Sequence, residues 1–143
     1  MTNFVTRLVQ PEDIPFLYST WLNSYRNDSE TGLSVRKSIF FESYRLILDY
    51  ILQKNTTKVL VACKPDEPNV IYGYMVAEPS DNVLHYVFVK EAFQRFGIAN
   101  SLQQQLFPNT SSGTVTITHR TEYAYNYCKK FMYNPFRLYQ KGE

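Results

Sequence analysis

The sequence predicts one α+β domain over residues 1–143, in which about four helices pack on a mixed, mostly antiparallel sheet of about six strands. Three observations predict it. A chain of 143 residues can build one hydrophobic core but not two. Apolar residues, 44% of the total, form strand-like runs in some segments and helical stripes in others. These segments follow one another in the order β-α-α-β-β-β-α-β-α-β.

The N-terminal third predicts one strand and two helices. Residues 4–9 read as a strand, and the turn after Pro11 ends at Asp13, a residue type that caps helix N-termini. A polar break at 27–32 separates the two helices, and the second runs from about 35 to 54 with Ser34 as its cap. The apolar stripes that predict the helices are Ile14, Leu17, Tyr18 and Trp21 in the first and Phe40, Tyr44, Ile47, Leu48 and Ile51 in the second.

The middle of the chain predicts three consecutive antiparallel strands. Residues 58–63 and 70–77 form a hairpin across a proline-rich turn, and 83–89 follows a second turn. Residues 83–89 are almost all apolar, which is typical of a strand covered on both faces. The remaining predicted elements are a helix at 97–107, a strand at 114–118, a helix at 122–131 and a last strand at 136–139.

The turn between the third of these strands and its helix has the composition of an anion site. Lys90 and Arg95 add positive charge, and Gly97 lets an anion approach the backbone. Free N–H groups at the start of a helix, at the positive end of its dipole, suit a phosphate or diphosphate. The glycine spacing differs from that of the dinucleotide fingerprint and of the Walker loop.

This turn resembles motif A of the GCN5-related N-acetyltransferases (GNAT), which reads Gln/Arg-x-x-Gly-x-Gly/Ala. Gln94, Gly97 and Ala99 occupy those places. The resemblance extends over nearly the whole chain, because the order of elements, the N-terminal strand with Thr6-Arg7-Leu8 and the hairpin containing Gly73 also match. It implies the GNAT fold and a GNAT-type acetyltransferase.

The resemblance implies acetyl-CoA as the acyl donor and no metal. The central strand and the strand at 114–118 would be parallel and would splay apart, so that the pantetheine arm pairs with the first. Thr121 stands where the family has an asparagine. The implied donor-binding residues are Val87, Phe88 and Val89 on the strand, Gln94, Arg95, Phe96, Gly97, Ile98 and Ala99 at the turn, and Thr121.

Attack of an amine on the thioester needs a group that removes a proton. His85, on the central strand, is the first candidate base, and His119 is the second, although either could be a histidine without a role. For the acid that protonates the leaving thiolate, the resemblance places Cys128 where the family has a tyrosine, with Tyr127 or Tyr125 as substitutes. Core packing is the alternative reading of the aromatic residues in this predicted helix.

Three functions remain open on the sequence. The first is transfer of acetyl to a primary amine of an acceptor, which the loop at about 23–37 would select. The second is a non-catalytic GNAT-fold binding or structural subunit, similar to small versions of the fold carried by tailed phages. The third is a single-stranded nucleic-acid binder that uses the basic and aromatic C-terminal quarter: Tyr125, Lys129, Lys130, Tyr133 and Arg137.

The composition limits the kinds of partner that the chain is expected to bind. A net charge of +2 predicts no strong attraction to nucleic acid or to membranes, and no segment approaches the roughly 18 apolar residues of a membrane span. Cys63 and Cys128 are predicted to be reduced thiols of a cytoplasmic protein. The short C-terminal strand region predicts a sheet edge that a second copy or a partner chain covers.

Overall fold

A computed structural model describes residues 3–108, 114–120 and 131–139 of the chain. Ten helices and strands lie in these ranges, together with short 3-10 turns. The helices are α1 (Ile14–Asp28), α2 (Glu30–Ser34), α3 (Lys37–Gln53) and α4 (Ile98–Leu106). The strands are β1 (Val5–Leu8), β2 (Lys58–Lys64), β3 (Glu67–Glu78), β4 (Val83–Val89), β5 (Val115–Ile117) and β6 (Phe131–Tyr133).

The six strands form one mixed sheet in the order β1-β2-β3-β4-β5-β6. The pairs from β1 to β4 are antiparallel, whereas β4–β5 and β5–β6 are parallel. The sequence therefore predicted the fold class, the parallel pairing of β4 with β5 and the bounds of β4 correctly. Within the described ranges no helix is long and apolar enough to cross a bilayer.

Each face of the sheet carries its own hydrophobic core. On one face, apolar side chains of β2, β3, β4 and β5 pack against Ile98, Leu102 and Leu106 of α4. On the other face, Leu17 and Trp21 of α1 pack with α3 and with the opposite side chains of β2, β3 and β4. Because side chains alternate along a strand, β4 contributes to both cores and is covered on both faces, as its composition predicts.

The first long helix begins after Asp13 as predicted, but neither long helix is capped by the predicted side chain. Asp13 is the last residue of a 3-10 turn, and its carboxylate bonds to Arg7 and to the backbone N–H of Gln10 instead of capping α1. A short helix, α2, fills the break that the polar residues predicted. Ser34 belongs to α2, and α3 begins after Arg36 with no side-chain cap. Asp13 is bound to Arg7 and Ser34 is part of α2, so neither side chain caps the long helix that follows it.

The end of the chain also differs. Residues 136–139, predicted as the last strand, lie in a 3-10 turn, Pro135–Tyr139, and the last strand is Phe131–Tyr133. Phe131, predicted as the end of a helix, is the first residue of that strand. Pro135 lacks the N–H that a strand ladder requires, which explains why the strand ends before it. The rest of the predicted helix at 122–131 falls outside the described residues.

Candidate functional site

Strands β4 and β5 pair at one end only. Val83 lies opposite Thr116 and Leu84 opposite Ile117. The last backbone hydrogen bond between the two segments runs from Thr118 N to Leu84 O, at 3.2 Å. From His85 to Val89, no strand among the described residues pairs with the β5-facing edge of β4, although β3 pairs with its other edge as far as Val89. The two parallel strands therefore separate from an apex at Leu84.

The turn that follows β4 is open. Gly97 has φ +82°, and a Cβ built on it would meet no atom within 4 Å. Arg95 also has a positive φ, +71°, and its side chain and that of Phe96 are exposed. The side-chain amide of Gln94 donates to the carbonyl of Val89 at 3.1 Å and so ties the turn to the strand end. No side chain of the described residues fills the space beside Gly97.

The first turn of α4 leaves backbone donors without helical acceptors. The hydrogen bond from Ser101 N to Gly97 O, 3.0 Å long, is the first one of the helix. The N–H groups of Ile98, Ala99 and Asn100 precede it, and helix geometry gives them no acceptor. The side chains of Ile98 and Ala99 are buried against the sheet and hold the helix in place. These N–H groups therefore lie beside the open space at Gly97.

The side chains of β4 are used for packing. Val87 and Val89 belong to the core under α4. Phe88 points to the opposite face, where its ring lies 6.2 Å from that of Phe16 and 5.5 Å from that of Tyr74. What the strand offers at its separated edge is therefore its backbone. The three residues that the resemblance assigns to the pantetheine arm lie on this edge.

His85 is the extra residue of a β-bulge. Val76 pairs with Tyr86 and Ala77 with Leu84, which leaves His85 with no partner on β3. A bulge turns a side chain away from the regular alternation of the strand. The imidazole of His85 is buried, and both of its nitrogens are bonded: Nε2 to Glu78 Oε2 at 2.7 Å and Nδ1 to Thr118 Oγ1 at 2.9 Å.

Glu78 joins several elements from the end of β3. Its carboxylate is fully buried and meets Lys54 at the end of α3, at 3.5 Å, and Arg137, at 3.9 Å, besides His85. The hydrogen bond from His85, with a smaller contribution from Thr56, lowers the pKa of Glu78 to about 2 although burial acts against ionisation. Burial lowers the pKa of His85, and Glu78 opposes that shift. The pair therefore consists of a carboxylate and a neutral imidazole at pH 7.

His119 lies at the other end of the same group of side chains. Its Nδ1 is 2.9 Å from Thr118 Oγ1, so one hydroxyl bridges the two histidines. Its Nε2 is buried and has no hydrogen-bond partner in residues 3–108, 114–120 and 131–139. Burial, with the His85 ring adding to the effect, lowers its pKa to about 3, and the backbone of His85 opposes the shift. Four aromatic rings meet the imidazole at steep angles, with centroids 4.9 to 6.0 Å away: Trp21, Tyr25, Tyr44 and Tyr86.

Several predicted residues fall outside the described ranges. Thr121, Tyr127 and Cys128 are among them, as are Tyr125, Lys129 and Lys130. Of the residues assigned to nucleic-acid binding, Arg137 pairs with Asp81 at 3.0 Å, which commits its charge to the protein. The described residues contain no group of three or more His, Cys, Asp or Glu side chains that could hold a metal ion.

Sequence reasoning missed Glu78 and Thr118, which connect the two candidate bases. A signal for Glu78 was present, because it ends a run of apolar residues that starts at Val70. A carboxylate at the end of such a strand is buried only when a partner satisfies it. Thr118 carried no signal of its own, since a threonine at a strand end is common.

Comparisons with known proteins support the fold. No protein-family model and no curated protein match the chain. A candidate acetyl transferase from Pyrococcus furiosus superposes with a TM-score of 0.60 at 11% identity, over 99% of this chain and 95% of its own. The GCN5-related glucosamine N-acetyltransferase region of a fungal multidomain β-N-acetylglucosaminidase gives a TM-score of 0.51 at 16% identity, over 74% of this chain and 12% of that one.

A ribosomal-protein-alanine N-acetyltransferase from Brucella melitensis biovar Abortus 2308 gives a TM-score of 0.49 at 18% identity, over 77% of this chain and 73% of its own. At such identities the likeness is one of fold. The chain has the fold of the GCN5-related N-acetyltransferases, as motif A and the order of elements predicted.

Proposed function

We propose that this chain is an acyl-CoA-dependent N-acyltransferase that moves an acetyl group from acetyl-CoA to a primary amine. The observation that carries the proposal is the separation of β4 from β5 next to an open turn at Gly97. A strand edge without a partner can pair with an extended amide chain. A helix start with free N–H groups can bind a diphosphate. Acetyl-CoA has both of these parts in one molecule.

The donor would lie along β4. Its diphosphate would bind the N–H groups that begin α4, with Arg95 and Lys90 adding positive charge nearby. The pantetheine arm would follow the free edge from Val89 back to His85, a length of about 13 Å. The thioester would then reach the apex at Leu84, where β4 and β5 separate. A backbone N–H on this edge would stabilise the negative charge that the carbonyl oxygen gains during attack.

Calorimetry tests donor binding directly. Acetyl-CoA and desulfo-CoA should bind with similar affinity, because both carry the diphosphate and the pantetheine amides. S-acetylpantetheine, which lacks the diphosphate, should bind at least tenfold more weakly, since several charge-assisted hydrogen bonds are lost. Absence of heat with acetyl-CoA at millimolar concentration would remove the proposal. Transfer is then followed as release of CoA thiol with lysine amide, spermidine and phenethylamine.

A non-catalytic binding subunit is the second candidate, and two observations favour it. The base predicted first, His85, is buried with both nitrogens bonded. The last strand, β6, exposes Met132 by 52% and Tyr133 by 42%, which suits a contact with another chain. A protein that binds acetyl-CoA but releases no thiol with any of the three amines would fit this function instead.

A further inference from the structure

The unpartnered nitrogen of His119 needs a physical reason. His119 is 2% exposed, and Nε2 has no hydrogen-bond partner within the part of the chain that the structure describes. A buried polar atom without a partner costs about 1–3 kcal/mol, and such atoms are rare in folded proteins. The other ring nitrogen is bonded to Thr118, so the ring is not simply misplaced in an apolar core. Trp21 Nε1, in a ring that packs on this imidazole, is also buried without a hydrogen-bond partner among the described residues, whereas Thr118 and His85 are bonded.

The hydrogen bonds fix the protons on both histidines. Glu78 is ionised and can only accept, so His85 donates from Nε2 and, being neutral, has a lone pair on Nδ1. Thr118 must then donate its hydroxyl proton to His85 Nδ1. The oxygen of Thr118 in turn accepts from His119 Nδ1, which leaves His119 Nε2 without a proton. The buried carboxylate thereby sets the tautomer of a ring two hydrogen-bonding residues away.

This group of side chains lies at the apex of the cleft. Leu84 and Ile117 form the last pair of β4 and β5, and His85 and Thr118 are the next residues on each strand. Their contact at 2.9 Å spans the point of separation, and His119 follows directly. The rings of Trp21, Tyr25, Tyr44 and Tyr86 pack around the imidazole. Because Nδ1 of the same ring is 2.9 Å from Thr118 Oγ1, the imidazole lies at the apex, where the thioester would end.

We propose, resting on the transferase function above, that His119 Nε2 accepts the proton of the attacking amine. Thr118, His85 and Glu78 are positioning residues, because they act through His119 and keep Nε2 bare. His119 then has the catalytic role, and His85 positions it through the hydroxyl of Thr118. This assignment reverses the order in which the sequence ranked the two histidines.

Every proton and electron pair in the reaction is accounted for without any other reactant. The amine lone pair forms the C–N bond, and the N–H proton passes to His119 Nε2. Nδ1 of His119 can give its proton to Thr118 as Thr118 gives its own to His85 Nδ1, which places the positive charge beside the Glu78 carboxylate. The C–S bond breaks with its electron pair on sulfur. The same steps in reverse return the proton to the thiolate, whose ordinary pKa, about 8.5 as for a cysteine thiol, makes it the stronger base.

Nitrogen NMR of the whole protein tests the tautomers without a substrate. The chain has only two histidines, so a sample labelled with ¹⁵N-histidine gives four ring signals. We expect His119 to carry its proton on Nδ1, the minor form of free histidine, and His85 to carry its proton on Nε2. Each ring should show one strongly deshielded bare nitrogen at pH 7. A proton on His119 Nε2 would overturn the proposal.

A matched set of threonine variants tests the role in transfer. Thr118→Val keeps the shape but removes the bridge, and it should lower kcat about 10²-fold with an unchanged KM for acetyl-CoA. Thr118→Ser should restore most of the rate. Thr116→Val, on the same strand, is the control. If Thr118→Val turns over at the wild-type rate, the role of His119 is overturned and the transferase function is not. Failure of the unmodified protein to release CoA thiol with any of the three amines overturns the transferase function, and the inference with it.

Discussion

Glu78 and His85 meet across the turn between β3 and β4, with Oε2 and Nε2 2.7 Å apart and both side chains fully buried. The bulge at His85 makes this contact, because it gives β4 one residue more than β3 at that point. A buried carboxylate is stable only with partners, and Glu78 also has Lys54 and Thr56. The contact thus joins the sheet to the end of α3 and fixes the protons at the apex of the cleft.

Acid should destabilise the protein from about pH 6.5 downward, because three buried groups bind fewer protons folded than unfolded. The folded-state pKa is about 3 for His119 and about 2 for Glu78, against ordinary values of 6.5 and 4.5, and that of His85 is also lowered. A lowered folded pKa contributes stability above the unfolded pKa, and the contribution is lost as pH falls toward the folded value. For His119 alone the loss at pH 4 is about 3 kcal/mol.

Urea unfolding at about pH 7, 5.5 and 4 measures this loss. The variant His119→Phe keeps an aromatic ring inside the shell but cannot take up a proton. Its free energy of unfolding should fall less steeply between the first and the last of these conditions. If the free energy of unfolding falls equally steeply with pH in the variant and in the unmodified protein, His119 is not the source of the acid sensitivity.

The sequence predicted β4 to the residue because its signal is local. Six aliphatic, β-branched or aromatic residues and one histidine between two turns favour a strand whatever surrounds them. The bulge and the histidine chain depend instead on register between β3 and β4, which pairs residues distant in sequence. The open turn was predicted, since a glycine at the start of a helix is a local signal. The sequence carried a local signal for Glu78, but its contact with His85 and the bridging role of Thr118 depend on the register and could not be predicted.

Asp13 shows how a local prediction fails and how to test the replacement. As an N-cap, Asp13 could be exchanged for asparagine at almost no cost, because the two residues cap equally well. In the structure its carboxylate accepts from Arg7 at 2.7 and 3.0 Å and from Gln10 N at 2.7 Å, and the bond to Arg7 lowers its pKa. Asp13→Asn should therefore destabilise the fold by about 1–3 kcal/mol in urea unfolding. Glu12→Gln, next to it and exposed, is the control, and equal stability of the two variants would restore the capping role.

Two glycines should respond differently to alanine. A Cβ on Gly73 would lie 2.5 Å from the carbonyl oxygen of Phe88, whereas one on Gly97 meets no atom within 4 Å. Gly73→Ala should push β3 away from β4 and cost about 1–3 kcal/mol. Gly97→Ala should lower the free energy of unfolding only through the strain of a positive φ, by about 1–2 kcal/mol. Amide NMR shifts of β4 should move in Gly73→Ala and stay in place in Gly97→Ala. Movement in the second variant alone would contradict the geometry.

A single charge at the start of α4 should change stability and donor binding in opposite directions. Asn100 is exposed and lies in the first turn of α4, where an acidic side chain stabilises a helix by about 0.3–1 kcal/mol. The same charge lies beside the proposed diphosphate site and should weaken acetyl-CoA binding about tenfold by repulsion. Gln104→Glu adds the same charge near the other end of the helix and should leave affinity unchanged. If Asn100→Asp raises the melting temperature and binds acetyl-CoA as tightly as the unmodified protein, the diphosphate lies elsewhere.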